Sequence, residues 1–224
     1  MGKTTLYLIN VSIAALVAAV SFVSGQRVVR ICRDSDIEIL SIQGVQIENY
    51  PKSRVELHLA ERMHHNKPLF FLQFDFKTRA RNGVLFYGTT KGKPSEILAL
   101  FLVDGELRYK MRCPTLEAEV FVSSKKKVPL NDGRWHTVFY SLKFGEHSHK
   151  ADITIDGHSG SPKQFGVSCS PLSSIIMGGA TRDDLINIDE LRQIPGHFEG
   201  CIRSVNISVP LNIPPKYHAV SICG

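Results

Sequence analysis

The sequence predicts an all-β protein, a two-layer antiparallel sandwich of jelly-roll type with about 12–14 strands. Three observations carry that expectation. Apolar residues alternate with polar ones at period two through the middle of the chain, the spacing that puts one face of a strand on a core. Gly-containing turns punctuate the chain at roughly 8–15 residues, as in sandwiches and barrels. No stretch repeats its apolar residues at the period of a helix for a useful length. Residues 183–194 are the only candidate, and they are short, acidic at their start and read as a loop. With 224 residues, 43% hydrophobic and 21% charged, the chain lies in the globular range, which excludes disorder, collagen and coiled coil. An all-β chain of this length, without repeats or an interior linker, is expected to form one core.

The elements follow in order. Phe70, Leu72, Phe74 and Phe76 share one face of a strand, with Phe71, Gln73, Asp75 and Lys77 on the other. Asn82-Gly83 reads as a hairpin turn into Val84-Leu85-Phe86-Tyr87. Ile97–Val103 is apolar on both faces, as in a strand buried between layers. Asp104-Gly105 is a second hairpin turn, after which Leu107, Tyr109 and Met111 alternate with Glu106, Arg108 and Lys110. Asn131-Asp132-Gly133 precedes a strand in which His136, Val138, Tyr140, Leu142 and Phe144 share a face. Trp135, the only Trp, is expected to pack its ring between the sheets. Ile153 and Ile155 lead into Asp156-Gly157, and Ile175-Ile176-Met177 ends at Gly178-Gly179, a pair suited to close backbone packing. Near the C-terminus, alternation places Cys201, Arg203, Val205 and Ile207 on one face, and Ile202 with Asn206 on the other.

Residues 1–25 are read apart from the fold. Lys3 is the only charge before an apolar run from Leu6 to Val23, and Val23-Ser24-Gly25 supplies the small residues of a signal-peptidase site. The alternative, a signal anchor, is weakened by Asn10, Ser12 and many alanines in a run of minimal membrane-spanning length. Cleavage after Gly25 leaves 199 residues with 26 basic against 21 acidic side chains, a formal charge of +5. That balance favours anionic partners.

All five cysteines, Cys32, Cys113, Cys169, Cys201 and Cys223, follow the leader. Secretion exposes them to an oxidising compartment, so disulfides are expected, and no pair is close enough in sequence for a zinc motif. The odd number leaves at least one thiol free or paired between chains.

In family order, the landmarks are Phe74-x-Phe76, Gly83-Val84-Leu85-Phe86-Tyr87, Leu98-Ala99-Leu100 with Asp104-Gly105, and Asp132-Gly133-Arg134-Trp135-His136-Thr137-Val138. Met177-Gly178-Gly179, Phe198-x-Gly200-Cys201-Ile202-Arg203-x-Val205 and Cys223 complete them. This series resembles the laminin-G-like domain of extracellular matrix and cell-surface proteins. The resemblance covers roughly residues 35–224 as one domain, after a short segment 26–34, and implies a laminin-G/concanavalin-like jelly roll. It also implies a Cys201–Cys223 disulfide, which would close a loop worth on the order of 3 kcal/mol in the chain-entropy picture.

Many relatives carry a rim calcium ion, and the first ligand position corresponds here to Glu96, ahead of Ile97-Leu98-Ala99-Leu100. The second acidic position falls within residues 167–173, which hold no carboxylate. One Glu with carbonyls and hydroxyls is a poor Ca²⁺ set, so a tight site is not expected. Cys113 and Cys169 lie near the ligand positions of calcium-binding relatives, and a bridge between them would clamp the rim in the metal's place. Cys32–Cys169 is the other pairing, because sequence does not set connectivity. With Cys113–Cys169 closed, Cys32 is the odd thiol, free or joined to a second chain as a disulfide-linked dimer.

Catalysis finds no support. Asp152 and Asp156 would lie about 13 Å apart on one strand, beyond the separation used by glycosidases. Glu117 and Glu119 are closer, but nothing beside them suggests a sugar subsite. No nucleophile-elbow motif occurs. His64-His65 and His147 with His149 lie in polar segments read as surface loops.

Basic residues are the functional lead. Lys125, Lys126 and Lys127 form a run before a turn, Lys91 and Lys93 mark another turn, and Lys143, Lys150 and Lys163 follow; Arg27, Arg30 and Arg33 cluster near the new N-terminus. Outside the cell, sulfated glycosaminoglycans offer the dense negative charge that such residues hold, with the salt dependence of counterion release. Nucleic acid is not expected as a partner, nor is a stable membrane span or a cofactor. Asn206-Ile207-Ser208 is the only N-glycosylation sequon after residue 25. The reading is a secreted, non-catalytic adhesion or interaction module of the extracellular matrix, binding sulfated glycans or a matrix or cell-surface receptor. The alternative is a lectin-like binder of neutral carbohydrates, and after it a sandwich-fold glycan hydrolase.

Overall fold

The computed structural model describes residues 38–49, 52–60, 69–90, 97–113, 116–122, 129–144, 149–160, 163–165, 172–179 and 197–224. All lie in Ser35–Gly224, one of two units into which the chain divides. Residues 183–194 fall outside the described residues.

Fifteen strands, numbered in chain order, and no helix occur among the described residues. One antiparallel sheet runs β10 (His158–Ser159), β9 (His149–Ile155), β8 (Trp135–Phe144), β3 (Leu69–Lys77), β13 (Gly200–Ile207), β1 (Val45–Ile47) and β15 (Ser221–Ile222), and β11 (Lys163–Phe165) also pairs with β9. The other runs β14 (Lys216–His218), β2 (Arg54–His58), β12 (Ser174–Met177), β4 (Gly83–Thr89), β5 (Ile97–Val103), β6 (Glu106–Cys113) and β7 (Leu116–Val122). The all-β sandwich is as the alternation predicts. The count exceeds about 12–14 because two edge pieces, β10 and β15, are only two residues long.

The core lies between the sheets. Phe70, Leu72, Phe74 and Phe76 of β3 face Leu98, Leu100 and Leu102 of β5 and Leu107, Tyr109 and Met111 of β6, all in one buried cluster. Phe74 meets Phe86 edge to face at 6.0 Å and 89°, a geometry that the ring quadrupoles favour. One polar link crosses the core: the hydroxyls of Tyr109 and Tyr140, one from each sheet, are 3.0 Å apart. Leaving either unpaired in this apolar setting would be costly. Strand β5 is apolar on both faces because both are covered. Ala99 and Phe101 belong to a second buried cluster, with Val84 and Tyr87, on the side away from the core.

Three expectations are corrected. Asn82-Gly83 does not close a hairpin, because β3 and β4 lie in different sheets. Residues 78–82 carry the chain across the roughly 10 Å between layers, and the Asn82 side chain instead accepts the Asp104 N–H at 2.9 Å. The ring of Trp135 is not between the sheets. Pairing Val138, Tyr140 and Leu142 inward puts His136 inward and Trp135 outward, where it is half-buried beneath Lys77 and Arg203. Alternation along the last long strand also fails, because β13 bulges between Arg203 and Asn206, with Ser204 at φ +52°. The extra residue shifts the phase. Ile202 and Val205 both enter the core, Ile207 packs against it, and Asn206 is exposed.

Gly178 shows what its neighbourhood demands. It follows β12 directly at φ +87°, and a Cβ there would lie 2.8 Å from the Ile47 side chain.

Candidate functional site

Three connections meet at one end of the sandwich. The crossing segment 78–82, the β5–β6 turn at Asp104-Gly105 and the segment 129–134 before β8 are laced by backbone hydrogen bonds. The Gly105 N–H donates to Arg81 O at 2.8 Å, the Leu130 N–H to Gly105 O at 2.9 Å, and the Gly133 N–H to Thr78 O at 2.9 Å. Asp104 and Gly105 both hold left-handed conformations, φ +52° and +78°, the pair a tight type I′ hairpin requires. Gly133, at φ +82°, leaves room for the Arg79 guanidinium, which a Cβ would approach to 3.0 Å.

This rim presents Arg79, Arg81 and Arg134, all exposed. Asp104 and Glu106 are exposed on the hairpin beside them. Arg134 has a partner in Asp132, Nε to Oδ2 3.5 Å, but its side chain stays 84% exposed, so that pair leaves the cation open to an anion in solvent.

A buried histidine fixes the loop below them. His136 Nδ1 lies 2.8 Å from Asp156 Oδ2 and its Nε2 lies 3.1 Å from Asp132 Oδ1. Carboxylates only accept, so whichever ring nitrogen carries the hydrogen donates it to its carboxylate, the tautomer deciding which of the two contacts that is. Asp156 also accepts the Thr137 N–H at 2.9 Å, and Asp132 the Arg134 N–H at 2.8 Å. Desolvation alone would raise the Asp132 pKa, yet the Arg134 N–H and the His136 ring hold it below its ordinary value. The clamp ties the β9–β10 turn to the segment that carries Arg134.

The lysines named from the sequence do not share one place. Lys125, Lys126 and Lys127 lie outside the described residues. They belong to the connection from Val122 to Pro129, both at this rim: Val122 pairs with Leu107, and Leu130 bonds Gly105. Lys91 and Lys93, also outside the described residues, follow Thr89 at the other end of β4. Lys163 is in β11, opposite Ala151 at the outer margin of the first sheet. Lys143 and Lys150 sit directly across from each other on β8 and β9, far from the rim. Arg79, Arg81 and Arg134 were not singled out as ligands, although the signal existed: each is a cation inside a turn segment.

Cys201 and Cys223 form a disulfide, with Cα atoms 5.8 Å apart across a separation of 22 residues. It fastens the chain end beside β15, which pairs with β1. Cys113 ends β6, while Cys32 and Cys169 lie outside the described residues. So do Glu96 and most of residues 167–173. Among the described residues no three His, Cys, Asp or Glu side chains gather to hold a metal ion.

Comparison with known proteins places these observations. A model of the laminin G domain matches residues 76–209. Laminin subunit alpha of Drosophila melanogaster is 25% identical over 173 residues, 73% of this chain and 4% of that protein. Neurexin-2 of Mus musculus is 27% identical over 139 residues, 61% of this chain and 8% of that protein. The chain thus spans less than a tenth of the length of these relatives. In structure, domains LG4-5 of the mouse laminin alpha1 chain superpose with a TM-score of 0.62 at 19% identity, over 82% of this chain and 47% of that one. That likeness is one of fold.

Proposed function

The chain belongs to the laminin G domain family, and from that premise we propose that it is a secreted, non-catalytic binding module of the extracellular matrix whose rim takes an anionic ligand, a sulfated glycosaminoglycan. Residues 1–25 serve as its signal peptide and the remainder from residue 35 as one domain. A disulfide at Cys201–Cys223 supports an oxidising destination. No helix among the described residues is long and apolar enough to cross a membrane.

One observation carries the ligand: Arg79, Arg81 and Arg134 are exposed on hydrogen-bonded loops at one end of the sandwich. Only Val128 separates the lysine run 125–127 from Pro129 of the same rim. At this end the three arginines stand against the carboxylates of Asp104, Glu106 and Asp132, and the lysine run adjoins it in sequence. Guanidinium groups match sulfate as they match phosphate, through paired N–H donors. About four such contacts would lose on the order of 100-fold in affinity as salt rises fourfold, by counterion release.

The test is elution of the secreted chain from immobilised heparin in a salt gradient, beside three variants. One replaces Arg79, Arg81 and Arg134 by Gln, one replaces Lys125, Lys126 and Lys127 by Ala, and a control replaces Lys143 and Lys150 by Ser. Retention above physiological salt, lost in the first two and kept in the control, is the expected result. Flow-through of the native chain would overturn the charge reading. Elution by a neutral sugar instead of salt would favour a lectin.

A further inference from the structure

The outer face of the first sheet carries an aromatic patch that the rim does not use. Phe71 of β3 and Phe139 of β8 stack at 5.7 Å and 25°, and both are half-buried. Beside them the bulge at Ser204 turns Asn206 out to solvent, opposite Gln73, which in turn lies opposite Phe139. Asn206 and Phe139 are therefore in one row, two strands or about 10 Å apart. Phe71, two residues from Gln73, is the diagonal neighbour of Asn206 at about 7–8 Å. Ser208 is held against Phe71 from both sides: its N–H donates to Phe71 O at 3.1 Å, and its Oγ accepts the Phe71 N–H at 3.0 Å.

Asn206-Ile207-Ser208 is a glycosylation sequon, so the one exposed acceptor asparagine in this strand stands at the margin of a half-buried, outward-facing aromatic pair. We infer that Asn206 carries an N-linked glycan whose first sugars lie over Phe71 and Phe139. The inference rests on that part of the proposed function by which the chain enters the secretory pathway. In the transfer, the Asn206 carboxamide nitrogen bonds to the anomeric carbon of an oligosaccharide linked to a lipid pyrophosphate. The bond from that carbon to the pyrophosphate oxygen breaks, the lipid pyrophosphate leaves, and the amide nitrogen gives up one proton. A sugar ring presents apolar C–H groups on one side, and covering the phenyl faces removes apolar surface from water. The eight-stranded sheet is then a shielded face, and ligands meet the rim.

The experiment expresses the full chain in secreting animal cells and examines both medium and cell fraction. Treatment with peptide N-glycosidase should lower the mass of the chain and deamidate position 206, and N206Q should already migrate at the lower mass. Enzymatic removal from the folded protein should lower the thermal midpoint by about 2–4 °C, the shift of a contact worth about 1 kcal/mol in a domain of this size. That shift should vanish when Phe71 and Phe139 are both replaced by Thr. A secreted chain without glycan overturns the inference and leaves secretion standing. A glycosylated chain retained in the cell overturns secretion and leaves the inference standing. A chain neither secreted nor glycosylated overturns both. An equal shift in the Phe71→Thr, Phe139→Thr variant overturns the covering.

Discussion

Arg203 lies over the ring of Trp135, its guanidinium carbon 3.8 Å from the ring centroid. Lys77 approaches the same ring at 5.1 Å, and Arg203 Nε also meets Asp75 Oδ2 at 3.2 Å. The indole is thus roofed by cations on the outside of the sheet, and the roof joins β13, β3 and β8.

Arg203→Ala should cost about 1–2 kcal/mol, combining a cation–π contact with lost packing of the arginine stem. Trp135 is the sole tryptophan, so its emission reports the site alone. Urea unfolding followed by fluorescence should show an earlier midpoint and a red-shifted native spectrum. Unchanged emission would place the ring outside the influence of Arg203.

The Tyr109–Tyr140 hydroxyl pair, 3.0 Å apart, should behave as a unit. Desolvation by burial raises both pKa values, so neither ionises near neutral pH. Replacing one Tyr by Phe strands the other hydroxyl and should cost about 1–3 kcal/mol. Replacing both should cost less than the two single changes added together, and a double-mutant cycle in denaturant measures the difference.

Period two assigned the inward faces of β3, β6 and β8 correctly, and it already placed Trp135 opposite His136. The expectation of a core Trp followed residue type over phase, and phase prevailed. The phase of β13 was not legible, because the bulge at Ser204 exists only in relation to the partner strand β3.

Acid should destabilise the fold through two carboxylates. Glu56 is met by Arg54 Nη2 at 2.8 Å, His218 Nε2 at 3.2 Å and His58 Nε2 at 3.6 Å, and Lys216 lies opposite it in register. Desolvation alone would raise its pKa, but the Arg54 hydrogen bond and the charges of His218, Arg54 and His58 lower it from the ordinary 4.5. Asp132 is likewise lowered from 3.8. A depressed acid stabilises fully above its unfolded value, and that stability is lost as pH falls through the folded value. The thermal midpoint should hold steady down to about pH 5 and then drop, with the drop blunted in a Glu56→Gln, Asp132→Asn variant.

Reducing the Cys201–Cys223 bridge should cost about 3 kcal/mol, the loop-closure entropy of a 22-residue separation. Guanidinium unfolding with and without reductant measures it. Hydrogen exchange should rise first in β15, which is held to β1 by a two-residue register and lies beside Cys223.

By itself the sequence determined what a strand's own backbone dictates: which segments are extended, which side of each regular strand is apolar, and the pattern of landmarks shared with laminin G domains. These are local, since side chains alternate at period two wherever the backbone is extended. Only the tertiary structure decided that residues 78–82 cross between sheets, that Ser204 shifts the phase of β13, and that Arg79, Arg81 and Arg134 share one rim. Each depends on pairing between residues far apart in the chain. Such register is set by the packed faces of partner strands, which a one-residue change inverts.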